Sequence, residues 1–183
     1  ILPDRNVLFI SNHQTYFADV VAMFHVFNAS LKGRPDTIKN VMYIWNPKLN
    51  LYYVSAKETM ESGILPRIMG YTGAITVERT WRQKGKDVSD TDKKAVNPND
   101  TENIKRALED GWVITFPQGT TKSFKPVRKG TAHIIKQHKP IVVPIVIDGF
   151  RRSFDRKGLW LKKKGILQTF TIKEPLNIDY DAE

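Results

Sequence analysis

The sequence predicts an α/β fold, a mixed, largely parallel β-sheet flanked by helices. Three observations carry this expectation. Short runs rich in β-branched and aromatic residues recur along the chain, such as Val7-Leu8-Phe9-Ile10 and Ile141-Val142-Val143. Segments with helical apolar spacing lie between them. Turns containing Gly, Pro and Asn join the two kinds of segment. Strands that alternate with helices favour parallel pairing with helices laid on the sheet faces. The chain has 183 residues, of which 40% are hydrophobic and 26% charged, enough for one core, and a single domain over residues 1–183 is expected.

Taken in order, residues 7–11 form a first strand, and Asn12-His13-Gln14-Thr15 a loop and helix start. Residues 16–27 are strongly apolar and predict a buried helix. Residues 28–39 hold Gly33 and Pro35 and read as loop. Strands are expected over 41–45 and 52–56, and a short helix within 58–69 that is interrupted or ends near Pro66. Residues 73–79 alternate as a strand does. Residues 80–100 are polar and poor in large aliphatics, which predicts a long mobile loop. Asp100 or Thr101 then caps a helix with Ile104, Ala107 and Leu108 on one face, and Gly111 stops it. A strand over 112–116, a helix over 129–138, a buried strand over 140–147 and a last strand over 168–172 complete the pattern.

Composition narrows the chemistry. The absence of cysteine excludes disulfides, thiolate metal sites and a cysteine nucleophile. Lys and Arg number 29 against 19 Asp and Glu, a formal charge of +10. Such a charge favours phospholipid surfaces, coenzyme A phosphates, acidic carrier proteins or nucleic acid, or simply marks a basic soluble protein. No recognisable nucleic-acid motif is present, and no nucleic acid is expected as a partner. The chain starts at Ile1 almost directly on a strand, which suggests a piece of a longer polypeptide with any anchors outside it. No signal peptide is present, and no apolar run approaches the ~18 residues of a membrane span.

Four blocks hold chemistry-bearing residues. In the first, Ser11-Asn12-His13-Gln14-Thr15 follows a strand, with Asp19 six residues after His13. A neutral imidazole takes a proton from an alcohol when a carboxylate fixes its tautomer, although such a pair also serves as packing or a cap. In the second, Gly73-Ala74-Ile75-Thr76-Val77-Glu78-Arg79 ends on a guanidinium, which either faces a phosphate or pairs with Glu78 or Glu102. In the third, Phe116-Pro117-Gln118-Gly119-Thr120-Thr121 is a turn able to cradle an anion or oxyanion, or an ordinary polar turn. Lys122, Lys125, Arg128 and Lys129 tilt it toward an anion. The fourth, residues 141–146, is a buried strand containing Pro144. His25, His133 and His138 lack metal-ligand spacing, and no metal is expected.

In this order the blocks resemble the glycerolipid acyltransferase family, which makes phosphatidic acid from lysophosphatidic acid. That family carries Asn-His with a downstream Asp, Gly-x-Ile-x-x-x-Arg, Phe-Pro-Glu-Gly-Thr-Arg and a Val-Pro strand. Ala56-Lys57-Glu58 and Lys129-Gly130 are also similar. The resemblance implies transfer of a fatty acyl group from acyl-CoA or acyl carrier protein to a lysophospholipid hydroxyl, with no cofactor beyond that cosubstrate. It implies His13 as general base and Asp19 as its orienting carboxylate. Asn12, Arg79, Gln118, Gly119, Thr120, Thr121 and Lys122 would form the substrate site. It further implies work at an anionic membrane, on its cytoplasmic face.

Three positions depart from the family pattern. Five residues rather than four separate His13 from Asp19. Either the added residue is absorbed in the loop, or Asp19 is not the orienting group. Gln118 stands for the family's Glu and Thr121 for its Arg. These two exchanges bear on the acceptor, which becomes a phosphate held by other cations or a head group of amino-acid type. The competing readings are a non-catalytic module that binds anionic membranes or nucleic acid, and a thioesterase in which water replaces the alcohol. Residues 150–164 mix seven basic residues with Phe150, Phe154, Leu159, Trp160 and Leu161, and are expected to touch the membrane.

Overall fold

The computed structural model describes residues 2–34, 42, 45–57, 73–77, 82–83, 86–87 and 97–181. The chain runs β1 (Val7–Ser11), α1 (Ala18–Leu31), β2 (Asn50–Ala56), β3 (Ala74–Val77), β4 (Arg82–Gln83) and β5 (Lys86–Asp87). It continues through α2 (Pro98–Asp110), β6 (Gly111–Thr115), α3 (Lys129–His138), β7 (Ile141–Asp148), α4 (Phe150–Ser153) and β8 (Thr169–Ile172). Six strands form one sheet in the order β3-β2-β6-β1-β7-β8, while β4 and β5 pair with each other. Every neighbouring pair in the large sheet is parallel except β7 with β8. This is the mixed, largely parallel sheet with flanking helices that the sequence predicts.

Both faces of the sheet are covered, which is why its central strands are apolar without interruption. On β1, Val7 and Phe9 turn to one face and Leu8 to the other. The first face packs against Val20, Met23 and Phe27 of α1. The second packs against Ile104, Ala107 and Leu108 of α2, with Ile134 and Ile135 of α3 beside them. Phe27 sits at the centre of the α1 layer. Its ring lies 4.5 Å from Phe9 and meets Trp112 and Phe170 edge-on at 5.6 and 6.2 Å.

Several expected boundaries move, each for a local reason. The first helix begins at Ala18 rather than 16 and runs on to Leu31. The helix expected from Asp100 or Thr101 begins at Pro98, because Asn97 caps it by accepting from Asn99 N at 3.0 Å and proline suits the first turn. That start falls within the loop expected over 80–100, which otherwise lies outside the described residues apart from β4 and β5. Gly111 follows the helix in extended backbone, φ −175°, not as a left-handed cap. Glycine is required there by close approach, since a Cβ would stand 2.2 Å from the Asn50 carbonyl oxygen. Of the strand expected over 41–45, only Met42 and Trp45 are described, and both are exposed and in helical turns. The expected helix over 58–69 lies outside the described residues.

Pro144 sits inside β7, where a missing N–H would ordinarily break a ladder. On the β8 side, however, pairing begins only at Ile145 opposite Ile172, and the Pro144 carbonyl is used by Lys173 N at 2.9 Å. The proline therefore occupies a position just beyond the end of that ladder.

The core makes a direct comparison possible. Phe27→Ala removes a ring from three aromatic contacts and is expected to cost about 3–5 kcal/mol. Val21→Ala, on the exposed side of the same helix, is expected to stay within about 0.5 kcal/mol. Urea unfolding of the two variants measures the difference, and similar losses would contradict this packing.

Candidate active site

Because β6, β1 and β7 are adjacent and parallel, their C-terminal ends open on one edge of the sheet. Open α/β sheets place chemistry at that edge. Residues 12–17 leave β1 there, and they hold His13 and the turn around Asp19.

Asp19 is fully buried at the start of α1. Its Oδ2 accepts from Gln14 N at 2.6 Å and Thr15 N at 3.1 Å, and lies 3.0 Å from His13 Nδ1. Its Oδ1 accepts from the Thr15 hydroxyl at 2.7 Å, and that hydroxyl in turn accepts from Asp19 N at 3.3 Å. A carboxylate has only acceptors to offer, so His13 Nδ1 donates and Nε2 holds the lone pair of the neutral ring. The five-residue spacing is accommodated without rotating the aspartate away. Residues 14–17 are bent outside the helix, and the chain folds around the carboxylate instead of continuing α1 backwards.

Two further side chains fix the loop to β7. Asn12 Nδ2 donates to the Ile147 carbonyl at 2.9 Å and its Oδ1 accepts from Ile147 N at 2.8 Å, which extends the strand pairing by a side chain. Asn12, expected to bind substrate, has both ends of its amide engaged by the Ile147 backbone. The Gln14 amide donates to Ile147 O at 3.1 Å and Asp148 Oδ1 at 3.3 Å, and accepts from Arg151 N at 3.1 Å. The Gly149 N–H, with the Gln14 amide and the Arg152 guanidinium, holds the exposed Asp148 carboxyl below its usual range.

The third block leaves β6 on the other side of His13. Phe116 stacks on the imidazole, with centroids 4.0 Å apart and planes 22° from parallel. Gly119 N closes the turn onto Phe116 O at 2.8 Å. The turn differs from the expectation in two ways. Thr121 is buried, so it does not offer a free hydroxyl to a ligand at the surface. Gln118 Nε2 donates to Lys125 O at 2.7 Å, an internal tie that a glutamate, with acceptors only, cannot make. Lys122 is exposed, and its N–H reaches Thr120 Oγ1 at 3.3 Å. Arg79 lies outside the described residues.

Arg151 is a contact of the third block that the sequence does not signal. Its guanidinium donates to the Thr121 carbonyl and the Ser123 hydroxyl, while its own N–H holds Gln14. It thus brings a cation to the turn in which Thr121 replaces the family's arginine. No local pattern signals this, because 30 residues separate the partners. Phe150 and Phe154 correct the expectation for residues 150–164. Phe150 belongs to the core and Phe154 packs against it, because α4 turns its aromatic side inward under β7. Leu159, Trp160 and Leu161 remain exposed. His133 and His138 lie on α3 and His25 on α1, and among the described residues no group of three or more His, Asp or Glu is placed to hold a metal.

A family model described as Acyltransferase matches residues 1–148, a span that includes β1 through β7 and every residue of the His13 loop and the 118–122 turn. No curated protein and no solved structure gives a match.

Asp19→Asn tests the geometry independently of any reaction. The amide places an NH₂ where only acceptors fit, and leaves at least one buried donor unmatched. The expected loss of stability is about 1–3 kcal/mol, read by thermal or urea unfolding. An unchanged midpoint would mean that the four contacts do not hold the loop.

Proposed function

The chain belongs to the phospholipid/glycerol acyltransferase family, and from that premise we propose that it transfers a fatty acyl group from acyl-CoA or acyl carrier protein to the hydroxyl of a lysophospholipid such as lysophosphatidic acid. The observation that carries the proposal is the His13–Asp19 pair at 3.0 Å, with the carboxylate fully buried and Nε2 of the ring left for the substrate.

In this reading the acceptor O–H gives its proton to His13 Nε2 as the oxygen attacks the thioester carbonyl carbon. The tetrahedral adduct collapses, the C–S bond breaks, and the thiolate takes the proton back from Nε2. Asp19 keeps Nδ1–H pointed inward and stabilises the imidazolium that forms between the two steps. Phe116 fixes the ring plane by stacking.

In this proposal the acceptor head group takes the edge between the His13 loop and the Gln118-Gly119-Thr120-Thr121 turn, with Lys122 as a cation there; Arg79, outside the described residues, is a second cation on the family resemblance alone. Burial of Thr121 makes its contribution one of backbone shape rather than hydroxyl bonding. The Arg151 guanidinium supports a phosphate-bearing acceptor, because it restores a planar cation next to Thr121. The Gln118 and Thr121 exchanges leave an amino-acid-type lysolipid as the outcome to test against. A lipid acceptor places the protein at a membrane, and the cytoplasmic face is part of the same proposal.

His13→Ala is expected to lower acyl transfer by about 10²-fold or more while the fold survives. The assay uses a panel of lysolipids with both thioester donors. Near-normal turnover by a folded His13→Ala protein would remove the base assignment. Acylation of a non-phosphate lysolipid alone would replace the acceptor.

A further inference from the structure

Two protrusions flank the His13 loop. The first leaves β6 and carries Phe124 at its tip, 100% exposed and in left-handed backbone at φ 56°, with Val127 68% exposed behind it. The second follows α4 and carries Leu159, Trp160 and Leu161, with Trp160 76% exposed. Since β1 lies between β6 and β7 in the sheet, the loop with His13 emerges between these two protrusions. Large apolar side chains displayed in this way beside a site mark an interaction surface.

The charge around them is predominantly positive. Residues 119–129 contain Lys122, Lys125, Arg128 and Lys129 and no acid; residues 156–164 contain Arg156, Lys157, Lys162, Lys163 and Lys164 and no acid. The nearest carboxylate, Asp155, is turned back on its own loop. It accepts from Leu159 N at 2.8 Å, Trp160 N at 3.0 Å and Lys157 N at 3.2 Å. These bonds hold its carboxyl below the usual range, the Trp160 N–H most of all, and they fix the second tip.

The second protrusion is built onto the His13 loop. Arg156 O and Lys157 O accept from Tyr16 N at 3.1 Å and Phe17 N at 2.9 Å. Gly158, at φ 78°, touches the same place, and a Cβ there would stand 2.6 Å from Ala18 N and 2.8 Å from Thr15 Oγ1. Arg151 joins the two protrusions: its guanidinium holds Thr121 and Ser123 of the first, and its carbonyl accepts from Lys162 Nζ of the second at 3.2 Å.

We propose that Phe124 and Trp160 are paired anchors that insert into an anionic lipid bilayer on either side of His13, with the surrounding lysines on the phospholipid head groups. The proposal rests on the acyl-transfer reading for its purpose, since a lysolipid acceptor lies in that bilayer. Basic residues at an anionic surface and aromatic side chains at the interface act together in such docking. The ties to Tyr16, Phe17 and Thr15 couple the Trp160 tip to the His13 loop, so seating that anchor would position the loop against the head groups.

The test is sedimentation of the protein with vesicles of phosphatidylcholine alone or mixed with phosphatidylglycerol, at low salt. Phe124→Ser and Trp160→Ser are each expected to weaken binding about 10-fold. Charge reversal at Lys163 and Lys164, which leaves the Lys162 tie to Arg151 in place, is expected to weaken it by about 10-fold or more on the mixed vesicles and little on the neutral ones. Neither tip packs in the core, so thermal midpoints should match wild type. With a short-chain acceptor dissolved as monomers, Phe124→Ser/Trp160→Ser should turn over as wild type does, and with acceptor in vesicles its apparent KM should rise. Wild-type vesicle binding by this double variant would overturn the proposal. So would vesicle binding that persists while binding to an acidic acyl carrier protein is lost, which would make the face a protein-docking one. His13→Ala separates the two readings, since it should bind vesicles fully yet fail to transfer. Normal vesicle binding by a wild-type protein that acylates nothing would sink the reaction and leave the anchors standing.

Discussion

A carboxylate buried completely at the start of a helix is the constraint on which the rest of the site depends. Burying that group is tolerable only if its acceptor sites are filled. The chain fills them from one stretch of sequence: two backbone N–H groups, one hydroxyl and one imidazole N–H, all from residues 13–15. The loop therefore has little choice of path, and the histidine ring is placed by the same bonds that satisfy the acid. The need to satisfy the buried acid thus places the imidazole edge, and Phe116 stacks on its face.

The neighbouring strands transmit that placement outward. Asn12 and Gln14 continue the β1–β7 pairing past the end of the backbone ladder, so the loop inherits the register of the sheet. Phe116 contributes a flat wall from β6. The site is consequently shared by three strands that are adjacent in space and distant in sequence. Arg151 closes the set from a fourth segment, and it supplies in space a cation that the third block lacks in sequence.

Much of this architecture is legible in the chain itself. Apolar runs of strand length and helical spacing at Ile104, Ala107 and Leu108 indicate an α/β sheet, and the order of the four blocks indicates the acyltransferase family. What is not legible is whatever depends on a partner far along the chain. The spacing from His13 to Asp19 leaves two outcomes open, and only the bend at 14–17 decides between them. Gly111 reads as a helix stop, whereas its requirement comes from the Asn50 carbonyl on another strand. Phe150 and Phe154 look like members of the same basic-aromatic run as Trp160. Only the direction of a four-residue helix separates core from surface. The burial of Thr121 and the contact between Gln118 and Lys125 have no sequence signal at all.

The strand order has a consequence for how the protein unfolds. β1 is flanked on both sides, its first three residues are at most 1% exposed, and it carries His13 at its end. Central elements of this kind open only with the whole structure, while edges and surface segments open locally at much lower cost. Amide exchange along β1 should accordingly be among the slowest in the chain. The strand from which the His13 loop departs would then keep its place until the whole structure opens.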